Sequence, residues 1–314
     1  MSIEGFVFDC PGEPERPVTE ELCQTCGASY PDVFNKAEDM AKAALEIKRL
    51  NHDDWVKLPF CVTIEAEAFG AAISLNSLYG VPAATQFRYQ KIEDIGQLPP
   101  LDFARGRLAE VLRAASLLHA QGEKIILNME GPYTILGQLI SSKQIYKGLY
   151  RNKEALCQIV QHIGNELVLY ATEAETHGVD MISYADPTVA YGLISPKIYY
   201  ELCGSLTWKI LRKIELSTQH IVVHLCNVTS VGFEKAGFCT SERIPVPSSF
   251  SYGKALLQVV QQRGIRVIGH GCVQRSFCPV CNGGVFRLLL AENPKLPDIW
   301  NREAILSDNK SQVV

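Results

Sequence analysis

The sequence predicts an α/β fold, a (β/α)8 TIM-type barrel formed by residues 1–314 as a single domain. Three observations predict it. From about residue 104, segments with apolar residues at helical spacing alternate with short β-branched runs, which is typical of βα units around a parallel sheet. Four of these runs end in chemically useful side chains, and barrel active sites lie at the carboxyl ends of the strands. The chain length also suits one barrel.

Each element is predicted from a local pattern. Helices are expected where apolar residues recur every three or four positions, and strands where β-branched residues run together. The predicted helices cover residues 35–48, 103–121, 153–177, 196–213, 252–262 and 284–291. The predicted strands cover residues 55–63, 124–129, 181–184, 220–226, 243–246 and 265–268, and an acidic turn covers 64–70. Residues 1–53 are expected to be an N-terminal extension that packs on the barrel.

The composition narrows the class of function. The chain has 30 basic and 34 acidic residues, a formal net charge of −4, and no basic stripe that would bind nucleic acid. No signal peptide and no membrane-spanning apolar window are evident, so we expect a soluble cytoplasmic protein with no membrane partner. The 11 cysteines then indicate reduced thiols or a metal site rather than disulfides. A small-molecule site is the default expectation.

The most informative motif is His224-Leu225-Cys226, at the end of an apolar strand. Residues two apart on a strand share a face, so the imidazole and the thiol point to the same side. Both groups suit zinc, and three protein ligands with an open fourth position would make the ion catalytic. The alternative is a hydrogen-bonded core histidine beside a buried cysteine.

Cys272 is the candidate third ligand because it follows another predicted strand. The preceding Gly271 would let the backbone approach a metal or a substrate closely. The three positions His224, Cys226 and Cys272 therefore predict a zinc site, with core packing as the alternative.

Two C-x-x-C pairs leave other ligand sets open. Either Cys278 or Cys281 could replace Cys272 as the third ligand. Together with Cys23 and Cys26 they could instead form a structural four-cysteine site, or Cys278 and Cys281 could be a redox dithiol.

Two carboxylates, Glu130 and Asp186, also stand at predicted strand ends and are the candidate catalytic residues. Each could act as an acid or base, as a fourth zinc ligand, or as a hydrogen-bond partner of a ligand. The alternative is helix capping, which suits Asp186 better than Glu130.

Four further residues are candidate substrate-binding groups: Glu65, Tyr184, Asn227 and His270. Glu65 and Glu67 would share a face if their segment were extended, although a solvated turn is the alternative. His270 lies two positions before the proposed third ligand and would share its face in an extended chain, where it could donate a hydrogen bond to substrate. A structural histidine is the alternative there.

Five stretches carry a family resemblance: FCVTIEAEAFG (60–70), MEGPYTILGQLI (129–140), YADPTVAYGLISPKIYYE (184–201), VVHLCN (222–227) and VIGHGC (267–272). Over most of the chain, and in the same order, they resemble the uroporphyrinogen decarboxylase superfamily. Within it, the His-x-Cys element is similar to that of the zinc-dependent methylcobamide methyltransferases, which pass a methyl group from a corrinoid protein to a thiol such as coenzyme M. The N-terminal arginine motif with which decarboxylases grip tetrapyrrole carboxylates is absent.

The resemblance implies a cofactor, a partner and a reaction. His224 and Cys226 match the first two zinc ligands of the methyltransferases, and Cys272 resembles the third. The methylcobamide would be supplied by a separate corrinoid-binding protein, because the chain contains no cobalamin module of its own. A small-molecule thiol, or a methylated substrate in the reverse direction, would be the other reactant.

The chain departs from the family pattern in two places. Asn227 stands where the motif usually has glycine, and the interval from Cys226 to Cys272 is about one βα unit shorter than expected. We therefore expect a barrel that is irregular or shortened between residues 228 and 265. Two other functions stay open: a tetrapyrrole decarboxylase, in which Asp186 or Glu130 would stabilise a protonated pyrrole without metal, and a non-catalytic scaffold.

Overall fold

The computed structural model describes residues 15–76 and 80–300. Helices and strands alternate along most of it. The helices are α1 Glu20–Cys26, α2 Ala37–Asn51, α3 Ile64–Ala68, α4 Gly106–His119, α5 Pro132–Leu139, α6 Ser142–Arg151, α7 Lys153–Thr176, α8 Pro196–Ile198, α9 Ser205–Ser217, α10 Asn227–Lys235 and α11 Tyr252–Val260. The strands are β1 Val56–Leu58, β2 Ala72–Ser74, β3 Ala83–Gln86, β4 Ile125–Glu130, β5 Met181–Ala185, β6 Val222–Cys226, β7 Cys239–Pro245, β8 Val267–Gly271 and β9 Gly284–Leu290.

The central sheet has seven strands in the order β1-β4-β5-β6-β8-β9-β7. The first five pair in parallel, whereas β9 is antiparallel to both β8 and β7. The register aligns Asn128 with Ser183, Ser183 with His224, and His224 with Ile268. This arrangement confirms the predicted α/β class with a mostly parallel sheet. Within the described residues the edge strands β1 and β7 do not pair with each other, so the sheet stays open.

The two faces of the sheet have different coverings. One face packs against helices α4, α5, α7 and α9 through residues such as Leu127, Ile182 and Leu225. The alternate residues of the same strands, including Ile126 and Met181, pack against α11 instead. Helix α11 therefore fills the inner side, where a complete barrel would have further strands. The irregularity predicted for residues 228–265 thus consists of α10, the antiparallel β7 and the inward-packed α11.

Several predicted elements differ from those observed. The predicted helix over residues 284–291 is wrong, because this segment is β9 and pairs along its whole length with β7. A short apolar run does not distinguish a strand from a buried helix, and here the antiparallel partner decides. The predicted strand over 55–63 ends at Leu58, before Pro59, and the acidic turn contains α3. The helix predicted over 196–213 is interrupted by a π-helical turn, Tyr199–Gly204.

A buried ion-pair network joins the N-terminal segment to the sheet. The Lys57 Nζ on β1 lies 2.5 Å from Glu15 Oε2 and 2.7 Å from Asp53 Oδ2. The Ser276 hydroxyl, from the loop after β8, donates to the same Asp53 oxygen at 2.5 Å. The lysine side chain is only 4% exposed, so its charge is compensated by protein carboxylates rather than by water.

The lengths of the helices bear on whether the chain could cross a bilayer. A membrane-spanning helix needs about 20 largely apolar residues. None of the helices within the described ranges has the length and apolar character for such a crossing.

Candidate functional site

A cleft of about 400 Å³ opens at the carboxyl ends of the parallel strands. Strands β4, β5 and β6 each contribute side chains from alternate positions, because those positions face the same side of the sheet. The strand-end residues that line it are Asn128, Glu130, Ser183, Ala185, Cys226 and Cys272. The opposite wall consists of residues 15–18 and 59–62, and Asn128 Nδ2 donates to the Pro59 carbonyl at 3.1 Å.

Two of the predicted metal ligands, Cys226 and Cys272, line this cleft together. Cys226 is the last residue of β6, and it pairs with Gly271, the last residue of β8. The Cys226 Sγ lies 3.0 Å from Thr229 Oγ1, and burial raises the pKa of the Cys226 thiol. The hydroxyl and the amide of Thr229 oppose this rise, because both stabilise the thiolate by hydrogen bonding.

His224 lies beneath the cleft rather than in its lining. It points to the same face as Cys226 but is two residues deeper, and it is fully buried. Its Nε2 is 2.8 Å from the Tyr252 hydroxyl. Its Nδ1 is buried and has no hydrogen-bond partner among the described residues. Burial lowers the pKa of His224 to about 4, so the ring is a neutral imidazole near pH 7.

The chemistry of this donor set fits zinc. Two thiols and one imidazole are borderline-soft donors, and a buried imidazole nitrogen without a partner is an available ligand atom. The three side chains are not yet close enough to bind one ion together. Over residues 15–76 and 80–300, no three His, Cys, Asp or Glu side chains converge as a metal-binding group.

Glu130 and Glu65 form a carboxyl pair at the edge of the cleft. Glu130 lines the cleft, whereas Glu65 on α3 is buried and its Oε1 accepts a hydrogen bond from the Glu130 amide at 3.3 Å. Burial raises the pKa of Glu65 to about 7. Burial, and then the neighbouring carboxyls of Glu65 and Asp186, raise the pKa of Glu130 well above its usual value. The cleft therefore favours the protonated form of the Glu130 carboxyl more than water does.

Substituting Glu65 with Gln is expected to flatten the pH dependence of stability. The folded state binds the Glu65 proton more tightly than the unfolded state, whose pKa is near 4.5, so the wild type loses stability as pH rises from about 4.5 to about 7. The Gln variant avoids this loss, on the order of 2 kcal/mol. Urea unfolding across this pH range measures the effect, with Glu20→Gln at an exposed site as the control. Parallel curves for wild type and Glu65→Gln would contradict it.

Asp186, a predicted catalytic residue, lies outside the cleft lining, and its carboxylate binds the start of α5. Its carboxylate accepts hydrogen bonds from the amides of Tyr133 at 3.2 Å and Thr134 at 2.8 Å, and from the Thr134 hydroxyl at 2.8 Å. These amides open α5, so Asp186 caps a neighbouring helix rather than the turn that follows it. Gly131 leaves room for this contact, since a Cβ there would overlap the carboxylate. Burial raises the pKa of Asp186 to about 6.

Tyr184 and Asn227, two of the predicted substrate-binding residues, lie outside the cleft lining. Tyr184 alternates with Ser183 and Ala185 on β5, so it faces the helical layer and is fully buried. Asn227 begins α10 and is 8% exposed, and its carbonyl accepts from the Ser230 hydroxyl at 3.1 Å.

The side chain of His270 does not share the face of Cys272, and the reason is its backbone conformation. Its φ of +59° is left-handed, so the strand alternation that would have placed it on the face of Cys272 is broken. The ring points instead towards α10 and β7, where Nδ1 lies 3.2 Å from Ser230 Oγ and Nε2 lies 2.7 Å from Ser241 Oγ. Glu234 Oε2 is 2.8 Å from the same Nε2. His270 thus joins elements outside the cleft.

The C-x-x-C pairs lie apart from the cleft lining. Cys278 and Cys281 are in the loop between β8 and β9, and the Cys278 carbonyl accepts from the Tyr252 amide at 2.8 Å. Cys23 is buried in the N-terminal cluster with Cys26 packed against that cluster. Burial raises the pKa of Cys23 to about 11, as befits a core thiol.

Sequence reasoning missed two groups at this site. Cys61 lines the cleft, and its Sγ accepts a hydrogen bond from the buried Arg107 guanidinium at 2.9 Å. Tyr252 contacts His224 from a helix that the sequence placed only by its periodicity. Cys61 falls within the 60–70 stretch but was not singled out there, and Tyr252 lies outside all five stretches. Both act through contacts between distant parts of the chain, which no local pattern reveals.

The fold and the cleft define an α/β protein whose site is built at the carboxyl ends of parallel strands, as in TIM-type barrels. The sequence profile of the uroporphyrinogen decarboxylase (URO-D) family matches residues 11–269. The chain belongs to this family, and the membership confirms both the predicted superfamily and the TIM-type class.

Relatives of this chain include methylcobamide:CoM methyltransferases. The chain is 26% identical over 253 residues to MtaA of Methanosarcina barkeri, covering 80% of this chain and 74% of the relative. It is 27% identical over 217 residues to MtbA of Methanosarcina mazei, covering 68% of this chain and 64% of the relative. A solved methyltransferase structure from Methanosarcina mazei superimposes with a TM-score of 0.61 at 27% identity, covering 73% and 70% of the two chains.

Proposed function

We propose that this protein is a zinc-dependent corrinoid methyltransferase, which moves a methyl group between a methylcobamide carried by a corrinoid protein and a thiol. The names of its relatives support the class of reaction. The observation that carries the zinc assignment is the meeting of Cys226 and Cys272 in one cleft, together with the buried, partnerless Nδ1 of His224, two residues before Cys226 on the same strand. The cytoplasmic location belongs to the same proposal and rests on the many reduced cysteines.

In this proposal His224, Cys226 and Cys272 hold the metal. When bound to such donors, zinc supplies a Lewis-acidic centre at which a thiol loses its proton near neutral pH. The cleft volume of about 400 Å³ suits a small thiol, while a corrin ring must be presented at the mouth by its own protein.

Glu130 is the proposed polar partner of the substrate. Its carboxyl lines the cleft, and the raised pKa favours the protonated form, which can donate a hydrogen bond to substrate. Glu65 holds the backbone at Glu130, because its Oε1 accepts a hydrogen bond from the Glu130 amide at 3.3 Å. Asp186 contributes through the helix that it caps, rather than by contact with substrate. A pyrrole-stabilising role for Asp186, as in the decarboxylase alternative, has no support from its contacts.

The test combines metal analysis with a methyl-transfer assay on the full chain. We expect about one zinc per chain, with a zinc-edge absorption spectrum fitted by two sulfurs at about 2.3 Å and one nitrogen at about 2.0 to 2.1 Å. We also expect chelator-sensitive methyl transfer from methylcobalamin to a thiol, and assays with cob(I)alamin and methylated donors determine the direction. Zinc well below stoichiometry together with activity that ignores chelators would overturn the proposal.

A further inference from the structure

Tyr252 occupies the inner side of the sheet, directly against His224. It is the first residue of α11, where Ser251 caps the helix and the Tyr252 amide donates to the Cys278 carbonyl at 2.8 Å. The side chain contacts His224 in two ways: the hydroxyl lies 2.8 Å from His224 Nε2, and the two rings meet edge to face at 76°. The contact joins residues 28 apart in the chain.

Gly271 makes this contact possible. A Cβ atom at this position would overlap the Tyr252 hydroxyl and the ring atoms next to it. The glycine is the residue before Cys272, so the tyrosine lies between His224 and the strand end that carries the other proposed ligand. The space therefore suits a tyrosine at position 252 and a glycine at position 271.

The two ring nitrogens of His224 have unequal surroundings. Nε2 has the tyrosine oxygen as its partner, whereas Nδ1 is buried without one among the described residues. A neutral imidazole carries one proton, so if Nδ1 binds a metal, Nε2 must carry the proton and donate it to Tyr252. A metal-binding histidine almost always donates its second nitrogen to a protein group or water in this way.

We propose that Tyr252 is a positioning residue: its hydroxyl oxygen accepts a hydrogen bond from the Nε2–H of His224 and so leaves Nδ1 unprotonated and oriented as a metal ligand. The inference rests on the zinc site of the proposed function and adds a residue that no motif marks. It also gives the inward-packed α11 a role, since the helix that replaces barrel strands supplies this hydrogen bond.

The test measures zinc affinity of the full chain by competition with a chromophoric chelator. Tyr252→Phe keeps the ring and removes the acceptor, and we expect zinc to bind about 10- to 100-fold more weakly. Cobalt(II) bound in place of zinc should show a shifted ligand-field spectrum. Tyr170→Phe is the matched control, because Tyr170 is also fully buried but its hydroxyl has no partner within the described residues. It should leave both readouts unchanged.

A double-mutant cycle separates positioning from general destabilisation. His224→Ala leaves two thiol donors and only weak residual zinc binding, and Tyr252→Phe should not weaken this residual binding further, because there is no imidazole left to orient. Equal zinc affinity and identical cobalt spectra in wild type and Tyr252→Phe would overturn the role of Tyr252 and leave the methyltransferase proposal standing. A wild-type chain that binds no zinc would overturn both. Circular dichroism and thermal melting confirm that each variant is folded.

Discussion

Replacing Cys226 with Ala is expected to remove bound zinc and to lower methyl transfer by more than about 100-fold, since losing even an indirect support of a metal ligand costs about 10- to 100-fold. The side chain provides one of only two cleft thiols among the proposed ligands. Its removal leaves His224 and Cys272, which are too few donors for a stable catalytic zinc site. Zinc content and methyl transfer from methylcobalamin to a thiol measure the effect.

The control for this variant is Cys281→Ala. Cys281 is an exposed cysteine outside the cleft lining, so its loss should change neither zinc content nor activity. If Cys281→Ala lost zinc while Cys226→Ala kept it, the ligand set would be drawn from the other C-x-x-C region. A folded Cys226→Ala variant with unchanged methyl transfer would leave zinc without a catalytic role.

Replacing Lys57 with Met should give the largest loss of stability, about 3 to 5 kcal/mol, because removing one partner of a buried ion pair strands the other charges. Asp53, whose side chain is 1% exposed, would lose its cationic partner and retain the hydrogen bonds from the Ser276 hydroxyl and the Trp55 amide. Glu15 would also lose its ion pair with Lys57, so residues 15–18, which line the cleft, would be bound less firmly to the sheet. Urea unfolding of the full chain measures the free energy.

The matched comparison is Lys48→Met. Lys48 pairs with Glu123 where both side chains are partly exposed, 27% and 20%, and solvent screens such pairs. The expected loss is at most about 1 kcal/mol. Similar losses in the free energy of unfolding for the two variants would contradict the prediction, because they would show that burial does not strengthen the contribution of the Lys57 ion pairs to stability.

Much of the fold could be predicted because the signals were local. Strands β4, β5 and β6 were predicted to within two residues at each end, since continuous apolar runs bounded by turn residues indicate buried parallel strands. The strand β9 was predicted as a helix because its pairing with β7 is not encoded in its own residues. The inward position of α11 could not be predicted either. The spacing of its apolar residues indicates that the helix has a buried face, but not what that face packs against.

In the candidate site, too, local patterns predicted some features and long-range contacts decided the others. The period of two along β6 was enough to put His224 and Cys226 on one face, and the parallel register carried both towards the carboxyl edge. The positive φ of His270 turned that side chain away, and nothing in the residue type required it. Asp186 caps α5, which precedes it by about 50 residues. The tertiary path of the chain brings the two together, and the residues next to Asp186 do not indicate this contact.

By itself, the sequence determined the αβ alternation, the strand ends that bear the thiols and the carboxylate Glu130, and membership of the URO-D family. These follow from short-range periods and contiguous motifs, which need no knowledge of distant partners. Only the tertiary structure decided which candidates share a cleft, which became caps or core residues, and which tyrosine meets His224. The physical reason is that burial and hydrogen bonding depend on segments brought together by folding, and these segments lie far apart along the chain.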